Sequence, residues 1–430
     1  MAAGASLTGC GGSGGGTSRA GGMTPLANAY RFLPLASAGA SLPNSESIMA
    51  QASAEGDLPF MGGVMLNDRR HVCFHATNAN GKHGVFEVDY EPDGQVDPIK
   101  HLISEGDVLP DGTLVDDVSG GYLNNDNDVV FVVSSESGET LQYSSAGAPF
   151  QRYFDEYDDV SPQCRLYGDL RPEVGLTDSD DLLFVCGYRD QEDRAMGEGL
   201  FYLPQGNASE TTLLLGEDQL LPGSSCAIRT FGLCQIGSTG EYLIQGTAAP
   251  VETQANTDDD GNPLSFLARG RVGESPEVLV AHPALGINQA IQGSVDMGPR
   301  LGPDGYAFIV STGPDRTQLY LNQTKLLDAG PGDIGSLTPR GARIISMFPP
   351  VFGPNGLMFI QVFTTEGTEI LAYNGSGFSS ILARGDSVQG KQVEMIVFGA
   401  LPCCVNSFSE LVTVVEYSSG ESAILLGIPV

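Results

Sequence analysis

LGPDGYAFIVS, beginning at Leu301, and FGPNGLMFIQV, beginning at Phe352, share one plan: an apolar residue, a tight turn, then an apolar strand. Gly, Asn and Asp accept positive φ, and the short Asn and Asp side chains bond their own backbone, so such clusters mark hairpin turns. The same plan recurs in LNDRRHVCFHA at Leu66, LNNDNDVVFVV at Leu123, LTDSDDLLFVC at Leu176, IGSTGEYLIQG at Ile236 and VNSFSELVTVV at Val405. The seven starting points are spaced 57, 53, 60, 65, 51 and 53 residues apart. A four-stranded propeller blade takes roughly 50 residues, so this period predicts blades.

Each copy leads into a second strand, as in Gly199-Leu200-Phe201-Tyr202-Leu203 and Glu369-Ile370-Leu371-Ala372-Tyr373. A third strand follows and ends in an acidic turn, as in HLISEGDVLPDG at His101 and SILARGDSVQG at Ser380. A fourth, more irregular strand such as Arg343 to Phe348 runs into the next copy. The expected fold class is therefore all-β, a seven-bladed β-propeller of four-stranded antiparallel blades. The chain stops after a second strand, Ser422 to Val430, while SIMAQASAEGDLPF at Ser47 resembles the third-strand segment at His101. The ring is expected to close by an N-terminal strand joining the last blade, with Ile48 beside Leu425. Closure removes exposed sheet edges. The organisation read this way is a Gly/Ser tether over 1–22, a lead-in over 23–46 and the propeller over 47–430.

The copies resemble a bacterial family of tandem NxxGxxAF repeats found in exported, surface-anchored proteins. Asn67, Asn124, Gly305 with Phe308, and Gly356 with Phe359 carry the match. The resemblance implies architecture and location, because the family is defined by repeats and not by an activity.

The net charge of −32 disfavours nucleic acid and anionic membranes and is compatible with cations or basic surfaces. Trp is absent, which excludes sugar-stacking platforms built on indoles. No run of 18 apolar residues marks a membrane-crossing helix. A monomer is expected.

Leu7-Thr8-Gly9-Cys10 resembles a bacterial lipobox, and the Gly/Ser-rich residues behind it suit a flexible spacer. Lipidation is therefore expected at Cys10. A complete signal also needs a basic and an apolar region ahead of the box, so this reading places the true start upstream of Met1. Membrane attachment would then run only through the lipid. Export permits disulfides, and the pairings nearest in sequence are Cys164–Cys186 and Cys226–Cys234; buried thiols are the alternative.

Asn256-Thr257-Asp258-Asp259-Asp260-Gly261 matches the first half of a Ca²⁺ loop. Asn256, Asp258 and Asp260 are the candidate ligands, and Ca²⁺ the candidate cofactor. Leu267 stands where the closing Glu belongs, so a solvated acidic hairpin tip competes with that reading. Asp126, Asp128, Asp178 and Asp180 read as turn formers. His71, Cys73 and His75 alternate along one strand and face one side, with the outer two roughly 13 Å apart, too far to share a metal. They read as core or rim residues. No nucleophile elbow, P-loop or metalloprotease motif is present, and no catalytic residue is assigned.

The function expected from these observations is an exported, lipid-anchored propeller at the bacterial cell envelope, binding or scaffolding an extracellular glycan or protein. The alternatives are an extracellular polysaccharide hydrolase or lyase with acids at the channel mouth, and a cytoplasmic interaction propeller.

Overall fold

A computed structural model describes residues 30–43, 46–51, 58–145, 150–155, 157–161, 164–167, 170–171, 174–190, 192–252, 264–287, 291–295, 298–302, 305–313 and 315–430. These residues form seven separate sheets in chain order, the blades of one propeller, antiparallel throughout except where Ile291–Gln292 adds to Glu277–Ala281 in parallel. The first blade comprises Phe60–Leu66, His71–Thr77, His83–Asp89 and Lys100–Ser104, from axis to rim. The second comprises Asp117–Leu123, Asp128–Ser135, Gly138–Ser145 and Gln151–Asp155. The remaining five repeat this meander, with an extra short strand in several of them.

The repeated motif makes the turn between the innermost strand and the second strand of every blade. The second strand is the best buried: His71–Thr77 is buried at every position. Its side chains point to both blade faces, and each face packs on a neighbouring blade, which is why these strands read as nearly continuous apolar runs. Aromatic pairs opposed across neighbouring strands fill the blades: Phe74 on Phe86, Phe184 on Phe201 and Phe308 on Tyr320, with ring centroids 5.9, 5.5 and 5.4 Å apart.

The innermost strands are irregular, as the sequence implied. Their registers shift between Phe60 and Val64, Ser119 and Tyr122, and Phe231 and Cys234. In the fifth and sixth blades the strand is split, into Ser294–Val295 with Arg300–Gly302 and Ile344–Met347 with Val351–Phe352. Such bulges leave backbone carbonyls without ladder partners and free to meet polar side chains. His75 Nε2 contacts the Gly120 carbonyl at 2.8 Å in this way.

The N-terminal strand joins the last blade, but it is not the segment expected. Tyr30–Ser37 pairs with Ser422–Pro429, placing Pro34 opposite Leu425. Ile48 instead bridges to Asn78 of the first blade. The expectation slipped by one hairpin. After Tyr30–Ser37 comes a turn closed by the bridge Ser41–Ser47, the counterpart of Val108–Leu114, Leu220–Ala227 and Leu337–Arg343 behind other rim strands. Ser47 and Ile48 thus begin the approach to the first blade's innermost strand. The propeller accordingly includes Tyr30–Ser37, part of the segment read as a lead-in.

Candidate functional site at the channel mouth

All seven motif turns gather at one end of the central channel. They surround a cavity of about 590 Å³ whose wall takes residues from every blade, including Asp68, Asn125, Asp178, Arg300, Phe352 and Ser407.

The motif positions have separable jobs. The second position is Asn67, Asn124 and Asn406 in the first, second and seventh blades. Each Asn Oδ1 accepts two backbone N–H groups of its own turn, Arg69 and His71 at 3.0 Å in the first blade. Each Nδ2 then reaches the next blade: Asn406 to the Asn67 carbonyl at 3.4 Å, Asn67 to Asn124 at 2.9 Å and Asn124 to Thr177 at 3.1 Å. A parallel set joins third positions, from the Ser407, Asp68 and Asn125 N–H groups to Oδ1 of Asp68, Asn125 and Asp178. The fifth position takes positive φ, 61° at Arg70, 67° at Asn127, 61° at Asp180 and 73° at Gly356. This explains why the repeat favours Gly or Asn there.

On the other half of the ring the second position is Gly237, Gly302 and Gly353. A Cβ at Gly302 would overlap the ring of Phe352, and one at Gly237 would come within 2.9 Å of Leu301 Cδ2. Here the first residue of the next motif packs over the glycine, so an apolar joint replaces the amide one.

Arg300 is the unusual member of the wall. It is 5% exposed. Its Nη1 and Nη2 make long contacts to the carbonyls of Pro299, at 3.3 Å, and Gly399, at 3.5 Å. Its Nε is buried without a hydrogen-bond partner. No carboxylate acts on it among the described residues; Cys404, Tyr122 and Cys403 are its electrostatic neighbours, and burial lowers its pKa. Burial also pushes the Tyr122 phenol up, and the Cys403 thiol up to about 12, so both stay neutral around the guanidinium. A guanidinium carries five donors and no acceptor, so its natural partners are anionic or carbonyl groups.

The acids of the wall are already engaged. Asp68 and Asp178 accept the joint bonds, and Glu241 pairs with Arg269 and Arg271 at 3.4 and 3.2 Å. Beside the mouth, Asp128 and Asp180 form a carboxyl pair between the second and third blades. Burial, and then the Asp128 charge, push Asp180 up to about 6. Asp128 is 4% exposed, and its Oδ1 has no other partner. Asp126, Asp128, Asp178 and Asp180 thus sit in the turns where the sequence placed them.

Cys10, Asn256, Asp258 and Asp260 lie outside the described residues. Cys164 and Cys186 share one core cluster but are not joined by a disulfide. The pairing of Cys226 with Cys234 is not supported: both lie on the single strand Cys226–Ile236, whose length separates them by roughly 20 Å, beyond the ~7 Å that a disulfide spans. Their thiols turn to the Leu285 and Leu183 carbonyls instead. His71, Cys73 and His75 are buried as expected. Sequence reading missed the groups opposite them, Glu87 and Asp89. Their alternation in His83–Asp89 was the available signal, and pairing across the hairpin gives it meaning. Arg300 was missed because nothing local distinguishes a channel-facing arginine from a solvated one.

The fold and the site define a closed seven-bladed propeller with an axial cavity at the motif-turn end. No protein-family model matches the chain, and no curated protein matches it. Among solved structures it is similar to the polysaccharide lyase Uly1, at 9% identity over 95% of this chain and 90% of that one, with a TM-score of 0.41. It is also similar to the N-terminal domain of Nup159, at 11% identity over 94% and 96% with a TM-score of 0.38. YCF48 from Cyanidioschyzon merolae matches at 10% over 93% and 98%, with a TM-score of 0.37.

Proposed function

We propose that the protein is an exported, lipid-anchored binding module whose ligand enters the motif-turn mouth and offers a carboxylate to Arg300. The observation that carries this reading is the buried guanidinium with an orphaned Nε in the wall of a 590 Å³ cavity. An isolated buried cation is costly, and a ligand anion at the guanidinium would compensate its charge. Asp68 and Asp178 are bound into the blade joints and Glu241 is paired with Arg269 and Arg271, which favours recognition over acid–base catalysis. The Leu7-Thr8-Gly9-Cys10 box supports the anchor.

Arrays of uronic-acid-containing glycans and of acidic peptides test the reading. Binding to members of one class, lost in Arg300→Gln, is expected. Silence on both arrays, or binding indifferent to Arg300→Gln, would refute it. Incorporation of labelled fatty acid by the full-length protein, abolished by Cys10→Ser, tests the anchor.

A further inference from the structure

We propose that His71, Cys73 and Glu87 form a zinc site in the first blade, with Asp89 orienting the histidine. His71 and Cys73 are two residues apart on one strand, so their side chains leave the same face. The antiparallel register sets Asp89 opposite His71 and Glu87 opposite Cys73. One ligand atom from each of His71, Cys73 and Glu87 lies within 4.8 Å of the others.

The spacing suits a tetrahedral ion. Cys73 Sγ is 3.5 Å from His71 Nε2, and Glu87 Oε2 is 3.3 Å from the same nitrogen. With Zn–S of about 2.3 Å and Zn–N and Zn–O of about 2.0–2.1 Å, tetrahedral angles require about 3.5 Å and about 3.3 Å. The other ring nitrogen, Nδ1, is 2.7 Å from Asp89 Oδ1. A carboxylate on the far nitrogen fixes the tautomer that leaves Nε2 for the metal. Lys100 holds that carboxylate from outside, with Nζ 2.7 Å from Oδ2.

Zinc binds the imidazole Nε2 of His71 and the thiolate of Cys73, and any protons these atoms carried pass to solvent. A mixed nitrogen, sulfur and oxygen set selects zinc over calcium or magnesium. Cys73 packs with Val118, Val129 and Phe131 of the second blade, so the ion would pin the first hairpin at a blade joint.

Cobalt serves as the probe, because its thiolate complex absorbs by charge transfer. The full chain, reduced and stripped of metal, is titrated with Co²⁺ and then Zn²⁺. One equivalent of Co²⁺ should raise a thiolate band that Zn²⁺ bleaches. The band should vanish in Cys73→Ser. Asp89→Asn should weaken affinity by about ten- to a hundredfold while leaving the stoichiometry intact. Chelation should lower the wild-type Tm and leave the Tm of Cys73→Ser unchanged. Absence of the band, its survival in Cys73→Ser, or chelator-insensitive melting of the metal-loaded wild type would overturn the site in favour of an ion pair with protonated His71.

Discussion

Asn67 is 3% exposed, and all its polar atoms are used, two bonds into its own turn and two into the second blade. Removing the amide strands the Arg69 and His71 N–H groups and the Asn124 carbonyl together. A typical bond contributes about 1 kcal/mol and an unsatisfied buried group costs more, so Asn67→Ala should lose about 2–4 kcal/mol in urea unfolding. Gly302→Ala tests the other joint. The φ of Gly302 is ordinary, so the penalty would come only from overlap with Phe352, about 1–3 kcal/mol. A neutral result at either position would separate the motif from the stability of the ring. The Asp128–Asp180 pair gives a pH signature. The Asp180 carboxyl is raised to about 6, so the folded chain holds a proton that the unfolded chain, near its ordinary value, has released. That contribution is complete below about pH 4 and fades as pH rises towards 6. Asp180→Asn should therefore gain Tm relative to wild type as pH rises from 4 to 7, and Asn suits the φ of 61° there. A difference independent of pH would show that the Asp180 carboxyl is not raised in the folded chain.

At the scale of strands, the turns and second strands were legible because their signals are local: Asn or Gly at fixed offsets, then an apolar run buried on both faces. The fourth strand's irregularity was legible too, since bulged strands lose clean alternation. The closing strand was not. Tyr30–Ser37 carries no motif, and the later segment SAEGDLPF mimics SEGDVLPDG closely enough to draw the match one hairpin downstream. Only the partner could decide, and the partner lies almost four hundred residues away. The axial site was half legible for the same reason. Its turns repeat in sequence, whereas Arg300, Tyr122 and Cys403 meet only after closure. The observed register makes a test. Arg31 stands directly opposite Ile428. Opposed residues in antiparallel strands have Cα atoms about 4.5–5.5 Å apart, within the span of a disulfide. The double variant Arg31→Cys/Ile428→Cys should oxidise to a cross-link joining the two termini, found by peptide mapping, and gain about 2–4 kcal/mol. The pair Ile48→Cys/Leu425→Cys should fail to link. The reverse outcome would restore the register expected from sequence.

For the whole molecule the governing quantity is a net charge of −32 folded into one ring. Two of the blade joints at the mouth add to the problem, because Asp68 and Asp178 use carboxylates as hydrogen-bond acceptors between blades. The few basic residues offset this locally, as where Arg340 pairs with Asp386 at 2.7 Å and Lys391 with Glu421 at 2.5 Å. Such exposed pairs contribute little each and leave the long-range repulsion in place. Screening should therefore stabilise the ring more than it weakens the pairs. The Debye length falls from about 30 Å at 0.01 M to about 8 Å at 0.15 M, so most of the gain should come below about 0.3 M. In a chain this large each kcal/mol moves Tm by about 2 °C or less. A rise of roughly 5 °C between 0.01 and 0.3 M NaCl is expected, flattening above. Sodium chloride is the right salt, since sulfate strengthens apolar burial by exclusion and would rise without a plateau. A Tm that falls with added chloride would mean that the short-range ion pairs outweigh the field, and the ring would then owe its cohesion to them.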